Sequence, residues 1–216
     1  NCLSAPLVQK LQRLCGGVGL PLPGVTRTDY EQISGKLAAL GTLLERFVRR
    51  EDRRVVVFSQ WTDQLDLAQP YIEQCLGMPV DRSDGKQSQA DKANVAERWN
   101  KPCPMDSERK GQRPKQKQKQ KAKQSLPKEV LLLTVKAGSV GLTLNAASAC
   151  VLMDTSWNPA DDLQAASRCH RIGQTRDVEV VRLLVRNSVD DMVLQRQVPK
   201  RIYAKKAQRD AGDDNA

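Results

Sequence analysis

One short run limits the fold more than any other feature of the chain: Arg54-Val55-Val56-Val57-Phe58-Ser59 is β-branched and aromatic, with no polar residue at every second place. A strand with one wet face alternates, so an unbroken apolar run marks a strand buried on both faces, as in the middle of a parallel sheet. The flanking sequence supplies the helices such a sheet needs. Ser34 can cap a helix whose Leu37, Leu40, Leu44, Phe47 and Val48 repeat at three-to-four spacing, leaving a basic exposed face. Beyond the run, the pattern predicts a helix over Thr62 to Leu76, a strand over Met78 to Arg82 and a helix over Ser88 to Trp99. A strand over Val130 to Thr134, a Gly-rich turn with a short helix to Leu144 and a strand over Ala149 to Met153 come next. A helix over Ala160 to Cys169, a strand over Val178 to Leu184 and a last helix from Val189 complete the order. Such alternation predicts the α/β class: a doubly wound, mainly parallel sheet with helices on both faces.

The order has margins and one interruption. Residues 1–33 read as a lead-in, residues 34–195 as the folded lobe, and residues 196–216 as the end of the last helix with a frayed tail. Residues 101–128 are rich in Lys-Gln repeats and poor in large apolar side chains, so they cannot bury enough surface to offset their ordering entropy; a disordered insertion is expected. The formal charge of the chain is +10, but ten Lys/Arg against Asp106 and Glu108 put a net +8 in that insertion, leaving +2 elsewhere. The folded part is therefore nearly neutral, and the insertion is either a solvated loop or a mobile polycation that strengthens contact with DNA phosphates. No apolar run approaches the roughly 20 residues of a membrane span. Six scattered cysteines without a CxxC pair, and a single His170, lack metal-ligand spacing, so neither a metal site nor a disulfide framework is expected. The chain opens at Asn1 without an initiator Met, which suggests a piece of a longer protein.

Gln164-Ala-Ala-Ser-Arg168-Cys-His-Arg171-Ile-Gly173-Gln174 is the stretch richest in chemistry. On a helix, Gln164, Arg168 and Arg171 fall at i, i+4 and i+7 and share a face, with Gly173 placed to end it. Two planar, permanently charged guanidinium groups suit the negative charge spread over a phosphoryl-transfer transition state; the plainer reading is an exposed basic helix face. Cys169 and His170 read as packing positions on that helix. Thr134-Val-Lys136-Ala-Gly138-Ser-Val-Gly141-Leu lies where a strand passes into a helix, at the edge where open α/β sheets bind ligands. Ser59 and Gln60 end the central strand, where a polar surface contact is preferred over burial. Asp154 reads as a cleft or turn residue, and Trp157 with Pro159 as a surface contact or as packing under the sheet.

These motifs carry a resemblance. Ser167-Arg-Cys-His-Arg-Ile-Gly-Gln-Thr175, preceded by Asp154-Thr-Ser-Trp157-Asn158-Pro159, resembles the last motif of the Swi/Snf-type ATPases of helicase superfamily two, whose usual form is WNP followed by QAxDRxHRIGQ. TVKAGSVGLTL is similar to that family's STKAGGLGLNL, and Ser34-Gly-Lys-Leu37, Val55 to Gln60 and Asp84-Gly85 through Asn100 match further motifs in order. The resemblance covers roughly residues 34–100 and 129–195. It implies a second RecA-like lobe, with Arg168 and Arg171 as arginine fingers toward ATP and Gln164 supporting them. It implies a nucleotide cleft at Gly138, Gly141 and Asp154, and DNA contacts from Ser59, Gln60, Thr134, Lys136, Trp157 and Asn158. Ser167 replaces the usual acidic residue, Ser139 a glycine, and Lys92 an arginine whose bidentate fork is lost.

The chain contains no GxxxxGK[ST] phosphate loop and no Asp-Glu magnesium pair after a strand. ATP and Mg2+ are therefore expected mainly on a first lobe, and the fragment alone is expected to be inactive. The whole is expected to be a nuclear, double-stranded-DNA-dependent ATPase acting on nucleosomes or other protein–DNA complexes. A non-catalytic DNA-binding scaffold and an RNA-directed helicase are the alternatives. The motor reading requires Arg168 and Arg171 to face the carboxyl ends of the strands and not to turn inward against the sheet; without that geometry the residues alone imply only a generic α/β fold.

Overall fold

The computed structural model describes residues 26–85, 88–100, 130–138 and 142–199. The basic insertion, Gly141, most of the lead-in and the tail from residue 200 lie outside the described residues.

The unbroken run forms β1 (Arg54–Ser59), and it occupies the centre of a five-stranded sheet. β2 (Val80–Ser83), β3 (Val130–Thr134), β4 (Ala147–Leu152) and β5 (Glu179–Arg182) complete the order β2-β3-β1-β4-β5, and all neighbours are parallel. Val55 pairs with Val130 on one side and Ala149 on the other, so the backbone of β1 is bonded along both edges. Residues 55 to 59, 130 to 134 and 147 to 152 are all buried, the signature of strands covered on both faces.

Successive side chains divide between two cores because strand residues alternate in direction. Val55, Val57, Val130, Leu132 and Val151 face α1 (Arg27–Ile33), α2 (Gly35–Leu44) and α3 (Thr62–Pro70) through Tyr30, Leu40, Leu44, Leu65 and Ala68. Val56, Phe58, Leu131, Leu133, Cys150 and Leu152 face α4 (Gln89–Asn100) and α6 (Pro159–Ser167) through Val95, Trp99 and Ala165. A single turn, α5 (Val135–Gly138), follows β3 directly, in the stretch where a Gly-rich turn with a short helix was expected; residues 139–141 lie outside the described residues. The last helix, α7, runs over residues 189–199.

Local chemistry fixes the boundaries. Ser34 caps α2 by accepting from the Leu37 amide, as its position predicts. The helix over Arg27–Ile33 lies in the stretch read as a lead-in, yet it has a Thr26–Asp29 capping box and adds Tyr30 to the core. Both α2 and α3 widen into π-helical turns, at Glu45–Arg50 and Tyr71–Cys75, and end against the sheet. Tyr71 is wholly buried in that corner, and its hydroxyl donates to Glu31; burial first, and then that carboxylate, push the phenol well above its usual range.

Gly41 faces this tyrosine. A Cβ there would lie 2.1 Å from Tyr71 Oη and 3.1 Å from Cζ, so the helix approaches the ring only because position 41 has no side chain. Alanine normally stabilises a helix interior relative to glycine. Here Gly41→Ala is expected to destabilise the lobe by about 1–3 kcal/mol in denaturant unfolding. Adding Tyr71→Phe, which removes the closest atom, should recover part of that loss. Full additivity of the two changes would show that the close approach does not matter.

Candidate functional site

Five parallel strands give the sheet two distinct edges, and the chemistry divides between them. At the carboxyl edge the chain leaves β1 toward α3 on one face and β4 toward α6 on the other, which makes the β1/β4 gap the topological switch point. Asp154 lies in that gap. Its Oδ2 accepts from Ser59 Oγ at 2.7 Å and from the Gln60 amide at 3.1 Å, and its Oδ1 is 3.7 Å from Lys36 Nζ. Lys36 also reaches Asp190 Oδ2 at 2.9 Å, and Asp190 accepts the Val185 amide. One ammonium in the first turn of α2 thus joins the ends of β1 and β4 to the start of α7.

The side chains of Lys36, Asp154 and Asp190 are only 13%, 10% and 15% exposed, so water screens this triad poorly. Ser59 is buried, against the expectation for its position, and its hydroxyl donates to Asp154. Thr134 is buried as well. Gln60 is half-buried, while Lys136, Trp157 and Asn158 are exposed. Trp61 adds an indole 64% exposed at the same edge. Trp157 is not packed under the sheet; the Arg196 guanidinium lies 5.4 Å from its ring centroid. Asn158 caps α6 by accepting from the Ala160 amide. Lys92 is buried in the first turn of α4.

Behind Trp157 a second polar knot fixes α6. Asp162 is 2% exposed, pairs with Arg182 at 2.9 Å, accepts the Ser156 amide and meets the Gln197 side chain. Gln197 also donates to the Ser156 carbonyl, so β5, α6 and α7 converge on one carboxylate.

The arginines are elsewhere. The helix does not continue through Arg171, and Gln164, Arg168 and Arg171 do not share a helical face: α6 ends at Ser167, and residues 168–174 form turns. The reason lies in the carbonyls. Ser167 Oγ donates to Gln164 O, the amides of Arg168 and Cys169 reach back only three residues, and Arg168 O accepts from Leu144 N. With its last carbonyls engaged by other partners, the helix cannot propagate. Gln164 stays exposed on α6, Arg168 is half-buried, and His170 is exposed rather than packed. Gly173 adopts φ +100° in the turn, several residues past the true helix end.

This turn sits at the amino edge of the sheet. Gln174 Nε2 donates to Ala147 O at 2.7 Å, Asn145 O at 3.1 Å and Cys169 O at 3.2 Å, and Ala147 opens β4. Arg176 Nη1 donates to Asp52 O, just before β1. Arg171 is exposed and donates from Nη1 to Thr143 Oγ1 at 2.7 Å. The expectation that the two arginines face the carboxyl ends is therefore wrong. Chain direction explains it: the turn connects a helix returning from the carboxyl edge to β5, and whatever immediately precedes a parallel strand lies at the amino edge. Asp154 and the arginine turn lie at opposite edges, so they do not form one nucleotide cleft, and Asp154 is reassigned to bracing. Gly138 closes α5 near the carboxyl edge.

Under the turn, Cys150 and Cys169 are wholly buried and in contact. Their hydrogen bond, and then burial, hold the Cys150 thiol well above its usual range, so it stays protonated. Sequence reasoning missed Gln174, Asn145 and Thr143 at one edge and Lys36 and Asp190 at the other. Lys36, Thr143 and Gln174 each lie inside a motif and so carried a signal; Asn145 and Asp190 carried none. Among the described residues no group of three or more His, Cys, Asp or Glu is placed to hold a metal ion, and no helix is long and apolar enough to cross a membrane.

The parallel, doubly covered five-stranded sheet is the architecture of a RecA-like helicase C-terminal lobe, and similarity to known proteins agrees. Residues 103–173 match the model of the helicase conserved C-terminal domain. The chain is 35% identical over 159 residues to human chromodomain-helicase-DNA-binding protein 7, covering 74% of this chain and 4% of that protein. It is 32% identical to the ISWI chromatin-remodeling complex ATPase ISW2 of Saccharomyces cerevisiae, covering 90% and 16%, and 35% identical to the ATP-dependent DNA helicase DDM1 of Arabidopsis thaliana, covering 90% and 23%. The crystal structure of the C-terminal part of the Fun30 ATPase domain superposes with a TM-score of 0.63 at 27% identity, covering 77% of this chain and 46% of that one. The chain is a C-terminal helicase lobe of the Swi/Snf type. It spans under a quarter of the length of these curated relatives.

The triad at the carboxyl edge makes a stability prediction. Lys36→Met leaves Asp154 and Asp190 buried without their shared cation, and denaturant unfolding should register a loss of roughly 2–4 kcal/mol. A second change, Asp190→Asn in the same chain, should recover part of it by removing one charge. An unfolding midpoint unmoved by Lys36→Met would mean that the ammonium does not brace this edge.

Proposed function

We propose that the lobe is half of an ATP-driven double-stranded DNA translocase, with one edge of its sheet turned to the nucleotide and the other to the DNA. The observation that carries this reading is the separation itself. A motor that converts hydrolysis into movement needs one surface that responds to phosphate and another that grips the track, joined by a stiff body. The arginines fail the geometric condition set for the motor reading, so that reading rests on the family relationship, which does not depend on the edge they occupy.

At the amino edge, Arg171 is exposed, and its guanidinium donates to the uncharged Thr143 hydroxyl. A phosphate oxygen offers a guanidinium a stronger, charge-assisted partner than a hydroxyl does. The reading is that Arg171, with Arg168 behind it, turns from Thr143 to a nucleotide held by a first lobe, which also supplies the Mg2+ that neutralises phosphate charge. Gln164, exposed one helical turn before Arg168, is a lesser candidate for the same contact. At the carboxyl edge, Gln60, Lys136, Trp157 and Asn158 are the proposed DNA-facing residues, with Trp61 beside them. Lysine at position 92 keeps the charge of the family's arginine without its planar fork, which weakens a phosphate contact there. The names of the relatives, a chromatin-remodelling ATPase and DNA helicases among them, support chromatin as the substrate and the nucleus as the location.

In the complete two-lobed protein, Arg171→Ala and Arg168→Ala should each reduce DNA-stimulated ATP hydrolysis by about a hundredfold or more, the scale of losing transition-state charge stabilisation. Duplex binding should remain near wild type. Wild-type turnover in both variants would sink the finger assignment, stimulation by RNA alone would reject the DNA track, and hydrolysis indifferent to any nucleic acid would reject the translocase. Deleting residues 103–126 should lower duplex affinity at low salt, with the difference shrinking as salt rises. Equal affinities at low salt would assign the insertion no part in DNA binding.

A further inference from the structure

We infer that Gln174 is a positioning residue for ATP hydrolysis, acting through the turn that carries the two arginines. The inference rests on the finger reading above and adds a group that the reading does not contain. The turn spans residues 168–174 between a helix end and an edge strand, and such a segment ordinarily has few fixed points. Here it has several. Gln174 divides its two amide protons among the carbonyls of Asn145, Ala147 and Cys169, at 3.1, 2.7 and 3.2 Å, and its own Oε1 accepts the Arg176 amide at 3.0 Å. One side chain therefore ties together the residue after Arg168, the approach to β4 and the approach to β5.

The near end of the turn is held independently. Leu144 N donates to Arg168 O at 3.0 Å, and Asn145 Nδ2 donates to the Ile172 carbonyl at 3.0 Å. Gly173 makes the last contact possible. Its φ of +100° is a conformation that side-chain-bearing residues rarely adopt, and a Cβ there would lie 2.9 Å from Asn145 Nδ2. Arg171 is thus an exposed residue in the middle of a braced loop: Arg168 O and Cys169 O are fixed before it, and Ile172 O and the Gln174 side chain after it. Ile172 is 99% exposed, so apolar burial does not hold the tip. Hydrogen bonds to backbone do, and the Gln174 side chain makes them to both sides of the turn.

A guanidinium must arrive within a fraction of an ångström of the developing charge to be useful, and a loop that wanders loses that alignment before it loses affinity. The consequence is specific. Removing the brace should lower kcat and leave the KM for ATP and the grip on DNA nearly unchanged, because the nucleotide and the DNA are held by other groups.

The test uses the complete two-lobed protein. Gln174→Met keeps the volume and removes every donor, and Gly173→Ala attacks the same brace from the Asn145 side. DNA-stimulated hydrolysis, duplex binding, thermal unfolding and amide hydrogen exchange across residues 168–176 are read for each. Gln174→Met should lower kcat by about ten- to a hundredfold with KM for ATP within about threefold, and raise exchange at the Arg176 amide. Gly173→Ala should follow in the same direction while both variants melt cooperatively. Wild-type kcat in Gln174→Met, or unchanged exchange across the turn in both variants, would overturn the positioning role. A loss confined to KM would do so too. If Arg168→Ala and Arg171→Ala hydrolyse ATP normally while Gln174→Met loosens the turn, the finger reading fails and the brace stands as a structural fact without a catalytic purpose.

Discussion

Uniform strand direction is the constraint on which the rest depends. With all five strands parallel, every connection must carry the chain back across a face, so each strand begins at one edge and ends at the other. Chemistry placed just after a strand and chemistry placed just before one are thereby separated by the length of the sheet. Asp154, Ser59 and Gln60 follow strands and meet at the carboxyl edge; Arg168 to Gln174 precede β5 and lie at the amino edge. The doubly covered core keeps the two edges at a fixed separation, since a side chain from either face of β1 has no room to move.

Much of this was legible in the sequence. The run Val55 to Phe58 has no alternation, and it became the central strand with the predicted boundaries; β3 was also placed to the residue. Ser34 capped the helix it was expected to cap. Hydrophobic period and cap chemistry are local, so they can be read without knowing what packs where. The small misplacements, such as β2 starting at Val80 and α6 ending at Ser167, fall where tertiary partners override local preference.

The larger errors have a physical pattern. Helical spacing of Gln164, Arg168 and Arg171 looked like a shared face, but Leu144 N and the Gln174 side chain claim the carbonyls that the helix would have needed. Those partners are distant from the motif or hidden within it, and no periodicity reports them. Ser59 was read as a surface contact because it ends a strand; its burial follows from Asp154, 95 residues away, which accepts its hydroxyl proton. The edge occupied by the arginines, by contrast, was available from the sequence. A segment between a returning helix and the next parallel strand must lie at the amino edge, which follows from element order alone and outranks the general preference of α/β ligands for the carboxyl edge.

The most direct measurement is a structure of the complete two-lobed protein bound to duplex DNA and a γ-phosphate transition-state analogue. The analogue is expected against Arg171 and Arg168 at the amino edge of this sheet, and the DNA backbone against Gln60, Lys136 and Asn158 at the other. An analogue bound at the carboxyl edge beside Asp154, or DNA lying across the arginine turn, would contradict this assignment.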